Sequence, residues 1–315
     1  MQSPFRKWMS ALLALGCLAF SFSLWAAEKF ASPEQAQQAL VQALAGADPE
    51  SALKKIFGPE ASDLWTSGDA AQDQERRQAF LKRAAEQSSW SPLGKDRTVL
   101  LVGQDQWSFP IPLKRQGKSW AFDTKTGREE ILNRRIGANE LDAIAGAEDY
   151  ARAQQEYFQQ DRNGDGVKEY AQRFVSDPGQ KNGLYWDSKD PRATSPVGPA
   201  IGQATIQDLP GGERRLIHHG YYFQALGEQS KKAPGGAKSF IQDGKQTQGF
   251  ALLAYPMSYG SSGIMSFLVG PDGRVLQKDL GRGTAKTALK MTEYDPDSSW
   301  KPVHQISANR PIIKP

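Results

Sequence analysis

Residues 161–169, Asp-Arg-Asn-Gly-Asp-Gly-Val-Lys-Glu, carry oxygen-bearing side chains at alternate positions with glycine between them. A turning loop aims every second side chain inward, so Asp161, Asn163 and Asp165 can meet one hard cation, with the Val167 carbonyl and Glu169 as further ligands. The cation such a set selects is calcium. Its twelfth position is Gln172, where a full site places a bidentate carboxylate, and no helix of clear period follows. The same residues also read as a turn ending a helix, in which Asn-Gly and Asp-Gly supply permissive backbone and polar caps. In either case a bound ion would be structural, and no other cofactor is expected.

Catalytic constellations are otherwise thin. Glu129, Glu130 and Glu140 fall near one expected domain boundary and can be read as the acid and base of an envelope hydrolase, or as exposed charges at the start of a helix. The 3 histidines are few for a hydrolytic design. His218 and His219, adjacent on a strand, are expected to point to opposite faces and so not to share one ion, and His304 lies in the tail. Gln116-Gly117-Lys118-Ser119 lacks the leading glycine of a phosphate loop and joins strands. Gly260-Ser261-Ser262-Gly263 is one residue short of a nucleophile elbow, and Gly281-Arg282-Gly283 lacks the third glycine of a dinucleotide fingerprint. Tyr185-Trp186, Tyr221-Tyr222-Phe223, Tyr255 and Tyr259 can line a ligand groove or fill a core. Aromatic–proline Tyr255-Pro256 is a candidate cis bond.

The elements that would position these residues alternate in kind. Ser32-Pro33 with Gln35 forms a capping box ahead of Ala36, Leu40, Ala43 and Leu44, and Gly46 closes that helix. Asp48-Pro49 opens a second, with Leu53, Ile56 and Phe57 apolar, and a third is expected from Asp73 to Glu86. Val99 to Val102, Trp107 to Lys114 and Lys118 to Asp123 read as strands, the last two joined by a turn at Gln116-Gly117. From Ile136, the residues Leu141, Ile144, Ala147, Ala151 and Phe158 fall at helical spacing. Four strands follow, at Gly220 to Leu226, Gly249 to Tyr255, Gly263 to Val269 and Arg274 to Asp279, with Pro271-Asp272-Gly273 as a hairpin turn. The expected class is α+β, helices followed by antiparallel sheet in each of two domains, 28–135 and 136–283, with 284–315 an extended polar tail anchored by Trp300.

The first 27 residues read as a cleavable signal peptide: Arg6 and Lys7, an apolar stretch from Trp8 to Trp25, then Ala26-Ala27 before the polar Glu28-Lys29. Leu24 and Trp25 stand where a cleavage box has small residues. Cys17, the single cysteine, is followed by further apolar residues and so does not suit lipidation; its removal with the leader leaves no thiol for disulfides or zinc. Of 39 basic residues, losing Arg6 and Lys7 leaves 37 against 35 acidic, a balance that argues against a nucleic-acid partner. A soluble periplasmic protein without a membrane span in its mature form is expected.

The segments Arg134 to Leu141, Asp161 to Ala171, Gly183 to Trp186, Gly220 to Phe223 and Gly249 to Pro256 resemble a bacterial family of domains of unknown function, numbered 2950. That resemblance implies no reaction or ligand. The first domain resembles the nuclear-transport-factor-like and cystatin-like cone folds. The second, a helix, a variable loop and a hairpin ending Val-Gly-Pro-Asp-Gly-Arg-Val, resembles the globular head of pilins and pseudopilins without their apolar anchoring helix. The role expected is non-catalytic binding or scaffolding of an envelope protein or cell-wall component.

Overall fold

The computed structural model describes residues 27–66, 70–189, 194–198, 205–208 and 214–303. Most of the expected leader and His304 lie outside them. The described chain divides into two compact units, the first ending at Arg128 and the second beginning at Glu129.

In the first unit, α1 (Pro33–Ala45), α2 (Pro49–Phe57), a short 3₁₀ helix (Pro59–Leu64) and α3 (Ala70–Glu86) precede a five-stranded sheet. The Ser32 hydroxyl accepts from the Gln35 amide at 3.3 Å and Asp48 from the Ser51 amide at 3.1 Å, so both expected caps form. Strands β1 (Ser88–Pro92), β2 (Arg97–Val102), β3 (Trp107–Ser108), β4 (Leu113–Gln116) and β5 (Ser119–Phe122) pair antiparallel, with β1-β2-β4-β5 in order and β3 also on β2. Alternation along β2 buries Thr98, Leu100 and Val102. Leu100 and Val102 meet Leu40, Leu53, Ile56, Phe57, Leu113 and Phe122 in one apolar core. The single strand expected over Trp107 to Lys114 is divided into two, because Pro110 and Pro112 offer no N–H to a ladder.

The next helix starts earlier than its apolar stripe suggests. α4 runs Thr124–Phe158, 35 residues, and the division between the units falls inside it, after Arg128, and not at 135/136. Asp123 sets the start: its carboxylate accepts from the Thr126 amide at 3.2 Å and hydroxyl at 3.0 Å, and pairs with Arg97 at 3.0 Å.

The second unit is built on an antiparallel sheet of seven strands. These are β6 (Thr205–Asp208), β7 (Arg214–His218), β8 (Tyr221–Leu226), β13 (Ala251–Pro256), β14 (Met265–Val269), β15 (Val275–Asp279) and β16 (Lys301–Pro302), in the spatial order β16-β15-β14-β13-β8-β7-β6. Two small hairpins intervene, β9 (Glu228–Gln229) with β10 (Lys238–Ser239) and β11 (Ile241–Gln242) with β12 (Lys245–Gln246). On one sheet face, Ala143, Ala147, Tyr150, Ala151 and Tyr157 of α4 pack on Leu216, Tyr221, Phe223, Leu252, Ala254 and Phe267. Leu141, expected on the apolar stripe, is 38 % exposed. Gln154 is fully buried and clamps the Ala171 backbone, accepting from its N–H and donating to its carbonyl, both at 2.8 Å.

The opposite sheet face, with Leu226, Leu253, Tyr255 and Leu268, is covered by residues expected to form an extended tail. Instead α5 (Thr284–Ala288) and β16 form there, Tyr294 exchanges backbone hydrogen bonds with Glu228 at 2.8 Å and Ser230 at 3.0 Å, and Tyr294 and Trp300 are buried. The mean polarity of the segment hides three apolar anchors, Ala288, Tyr294 and Trp300, spaced widely enough to cross a sheet face. The Tyr255-Pro256 bond is trans.

Candidate functional site

The acidic loop after α4 folds into one connected web. Asp161 accepts the Gly164 and Gly166 amides, each at 2.8 Å, and both glycines hold positive φ, 77° and 84°. Asp165 accepts the Val167 amide at 2.9 Å, while its other oxygen takes the Asn163 side-chain amide at 2.9 Å and the Lys245 ammonium at 2.6 Å. Asn163 also donates to Glu169 at 3.1 Å. The four residues expected as ligands are thus brought together, and Lys245 joins them. Backbone donation from Gly166 holds Asp161 below the ordinary carboxylate range, and Lys245 does the same for Asp165. Gln172, the weak twelfth position, instead donates to the Gly244 carbonyl at 2.8 Å. Among the described residues, no group of three or more His, Cys, Asp or Glu side chains is placed to hold a metal ion.

The histidines depart from expectation. Strand β7 ends at His218, and His219-Gly220 form a two-residue hairpin loop with φ of 42° and 75°, the His218↔Tyr221 pair closing it. Left-handed backbone at His219 breaks the alternation that would separate the rings, so they stack at 3.9 Å on one side. His219 Nδ1 lies 2.6 Å from Asp142. Burial and the neighbouring His219 charge lower the His218 pKa, against the pull of Asp142.

Glu130 and Glu140 do not converge. Glu130 pairs with Arg134 at 2.7 Å, and Glu140 accepts the Ile264 and Met265 amides, each at 2.9 Å. Glu130 and Glu140 are ten residues apart on α4, about 15 Å along its axis at 1.5 Å per residue. Glycosidic acid–base pairs sit within about 9.5 Å. Most expected groove aromatics are core: Tyr221 and Tyr255 are fully buried, and Trp186 and Phe223 nearly so.

A concavity does open elsewhere. A groove of about 450 Å³ lies on the α4 side of the sheet, lined by Gln172, Phe174, Ile206, Ala225, Ile241 and Gln246 among others. Ile206 and Ala225 share the face of Leu216 and Phe223, and Ala225 is exposed where the strand pattern would bury it. Sequence reading missed these residues because none carries unusual chemistry; their only mark is a small side chain, Ala225, within an aromatic strand.

Neither a curated protein nor a solved structure matches the chain. A family described as "Protein of unknown function (DUF2950)" matches residues 27–303, from the first described residue to the last. The matched range takes in α4, both sheets and the closing segment with Tyr294 and Trp300, and the chain belongs to this family.

Proposed function

We propose that this is an exported, periplasmic, non-catalytic protein whose second unit binds or scaffolds an envelope protein or cell-wall component. The groove of about 450 Å³ carries the reading, since its volume falls in the range of ligand-binding clefts and its walls come from separate chain segments. The rival reading, a carboxylate hydrolase, loses support because Glu130 and Glu140 are spent on Arg134 and on two backbone amides. Export is supported by the apolar leader and by a family match that begins at residue 27. The second unit, one long helix on an antiparallel sheet, is read as pilin-head-like, and the first, helices with a smaller antiparallel sheet, as nuclear-transport-factor-like or cystatin-like. Calcium, if the acidic loop takes it, is structural.

The test is capture from envelope extract with the parent protein and with Ala225→Trp, which fills the groove. An envelope component retained by the parent and lost by A225W supports the reading. Equal retention by both, or none above background, overturns it.

A further inference from the structure

At the end of the second sheet where β8 begins, away from the groove, a short stretch of α4 fastens two connections. The Asn139 side-chain amide donates to the Ser262 carbonyl at 2.8 Å, Glu140 accepts the Ile264 and Met265 amides, and Asp142 meets His219 Nδ1 at 2.6 Å. Asn139 and Glu140 thus grip the connection between β13 and β14, and Asp142 grips the turn between β7 and β8. Turn and connection are also joined directly, since the Met257 amide donates to the Gly220 carbonyl at 2.9 Å. Contact there is close: a Cβ on Gly220 would stand 2.8 Å from the Asn139 amide nitrogen and 3.0 Å from the Ser262 Cβ.

Of these fastenings, the one through His219 depends on a side chain of the type that titrates near neutrality. An ionised carboxylate only accepts, so His219 Nδ1 carries the proton that it donates to Asp142. The His218 ring lies on the His219 ring, centroids 3.9 Å apart and planes within 19°. Burial and the His219 charge oppose protonation of His218 and Asp142 favours it, and the balance lowers its pKa. The other titratable groups on the elements that meet here have partners of their own. Glu140 holds two backbone amides, the Tyr221 hydroxyl donates to the Met265 carbonyl at 2.8 Å and is kept neutral by burial, and Tyr259 donates to Asp279 at 3.2 Å. A closed turn that prefers neutral His218 implies an open turn that takes the proton more readily, so acid shifts the population toward opening.

We propose that the His218–His219 stack, anchored by Asp142, is an acid-sensitive latch on the β7–β8 turn: charging His218 while His219 holds to Asp142 parts the rings and opens the turn. Like charges cannot stay stacked at 3.9 Å without cost, and with His219 retained by its carboxylate the movement falls on His218. The closing His218↔Tyr221 pair and the Gly220 bond to Met257 go with it, while the β8–β13 ladder beyond them is kept. Opening begins as pH falls below the ordinary histidine value of 6.5 and is complete below the lowered one.

The experiment is backbone amide hydrogen exchange followed by NMR on the intact chain, at about pH 7 and about pH 5. Protection of the Met257 amide, corrected for the intrinsic effect of pH on exchange, is expected to fall at least about tenfold at the lower pH, and that of Leu253 in mid-β13 by less than about twofold. His218→Phe keeps a ring on His219 without a titratable nitrogen and should hold Met257 protection equal at both pH values; His218→Asn, which removes the charge with a smaller side chain, should do the same. Unchanged Met257 protection in the parent, a loss of the parent's size in His218→Asn, or a matching loss at Leu253, the mark of general acid unfolding, overturns the proposal. None of these outcomes touches the groove, which A225W tests separately.

Discussion

Glu140→Ala separates a structural carboxylate from a catalytic one. In the parent, one oxygen of Glu140 accepts two backbone amides, from Ile264 and Met265, each at 2.9 Å, and so fastens α4 to the start of β14. A hydrogen bond to a charged group contributes about 1.5–3 kcal/mol. Ile264 is 36 % exposed, so its amide recovers water when the carboxylate is removed, and most of the loss comes from Met265. The expected cost is about 2 kcal/mol, or about 4–8 °C in the thermal midpoint of a unit of this size. Glu140→Gln keeps an acceptor oxygen and loses the charge, so about 1 kcal/mol and 2–4 °C are expected. Thermal unfolding followed by circular dichroism measures both. Equal midpoints for parent, E140A and E140Q would show that the two amides do not depend on Glu140, and would reopen that carboxylate to other work.

Three further outcomes follow from described contacts. Trp300→Ala removes a buried side chain from the segment that covers the second sheet face and should cost about 3 kcal/mol in urea unfolding; a loss under 0.5 kcal/mol would mean this segment covers the face without holding it. Calcium approaching Asp165 must displace the Lys245 ammonium at 2.6 Å, so Lys245→Gln should bind calcium at least about threefold more tightly than the parent by calorimetry, while silence from both at millimolar calcium ends the calcium reading. Because the folded-state pKa of His218 is lowered, the unfolded chain takes up its proton first on acidification. Stability from this group is therefore present above the unfolded value near 6.5 and lost as pH falls from there through the lowered folded value, a slope His218→Asn should flatten in a series of thermal midpoints.

What could be read in advance divides by the range of the interaction involved. The caps at Ser32 and Asp48 act over three residues and were legible, as were the four strands of the second domain that carry dense apolar residues. The start of α4 was not, because its signal is the single capping residue Asp123, and the apolar stripe begins only a dozen residues later. β6, β7 and β16 are short edge or near-edge strands that gain their stability from neighbours distant in sequence. The acidic loop was found by its spacing, yet Lys245, which completes its charge balance, lies on a hairpin 80 residues from Asp165. The histidine stack is hidden for the opposite reason: strand alternation ends with β7 at His218, one residue before His219 turns left-handed.

The segment bearing Tyr294, Trp300 and β16 has a bearing on the order in which the molecule can be completed. It supplies both the lid over Leu253, Tyr255 and Leu268 and the last rung of the sheet. A nascent chain that has emerged only as far as Gly283 has every central strand but covers that apolar face only in part, through Ala233 and Phe240. Closure of the second unit is therefore a late, long-range event, waiting on nearly the entire polypeptide, and during that interval the half-covered sheet is the natural binding surface for a holding chaperone.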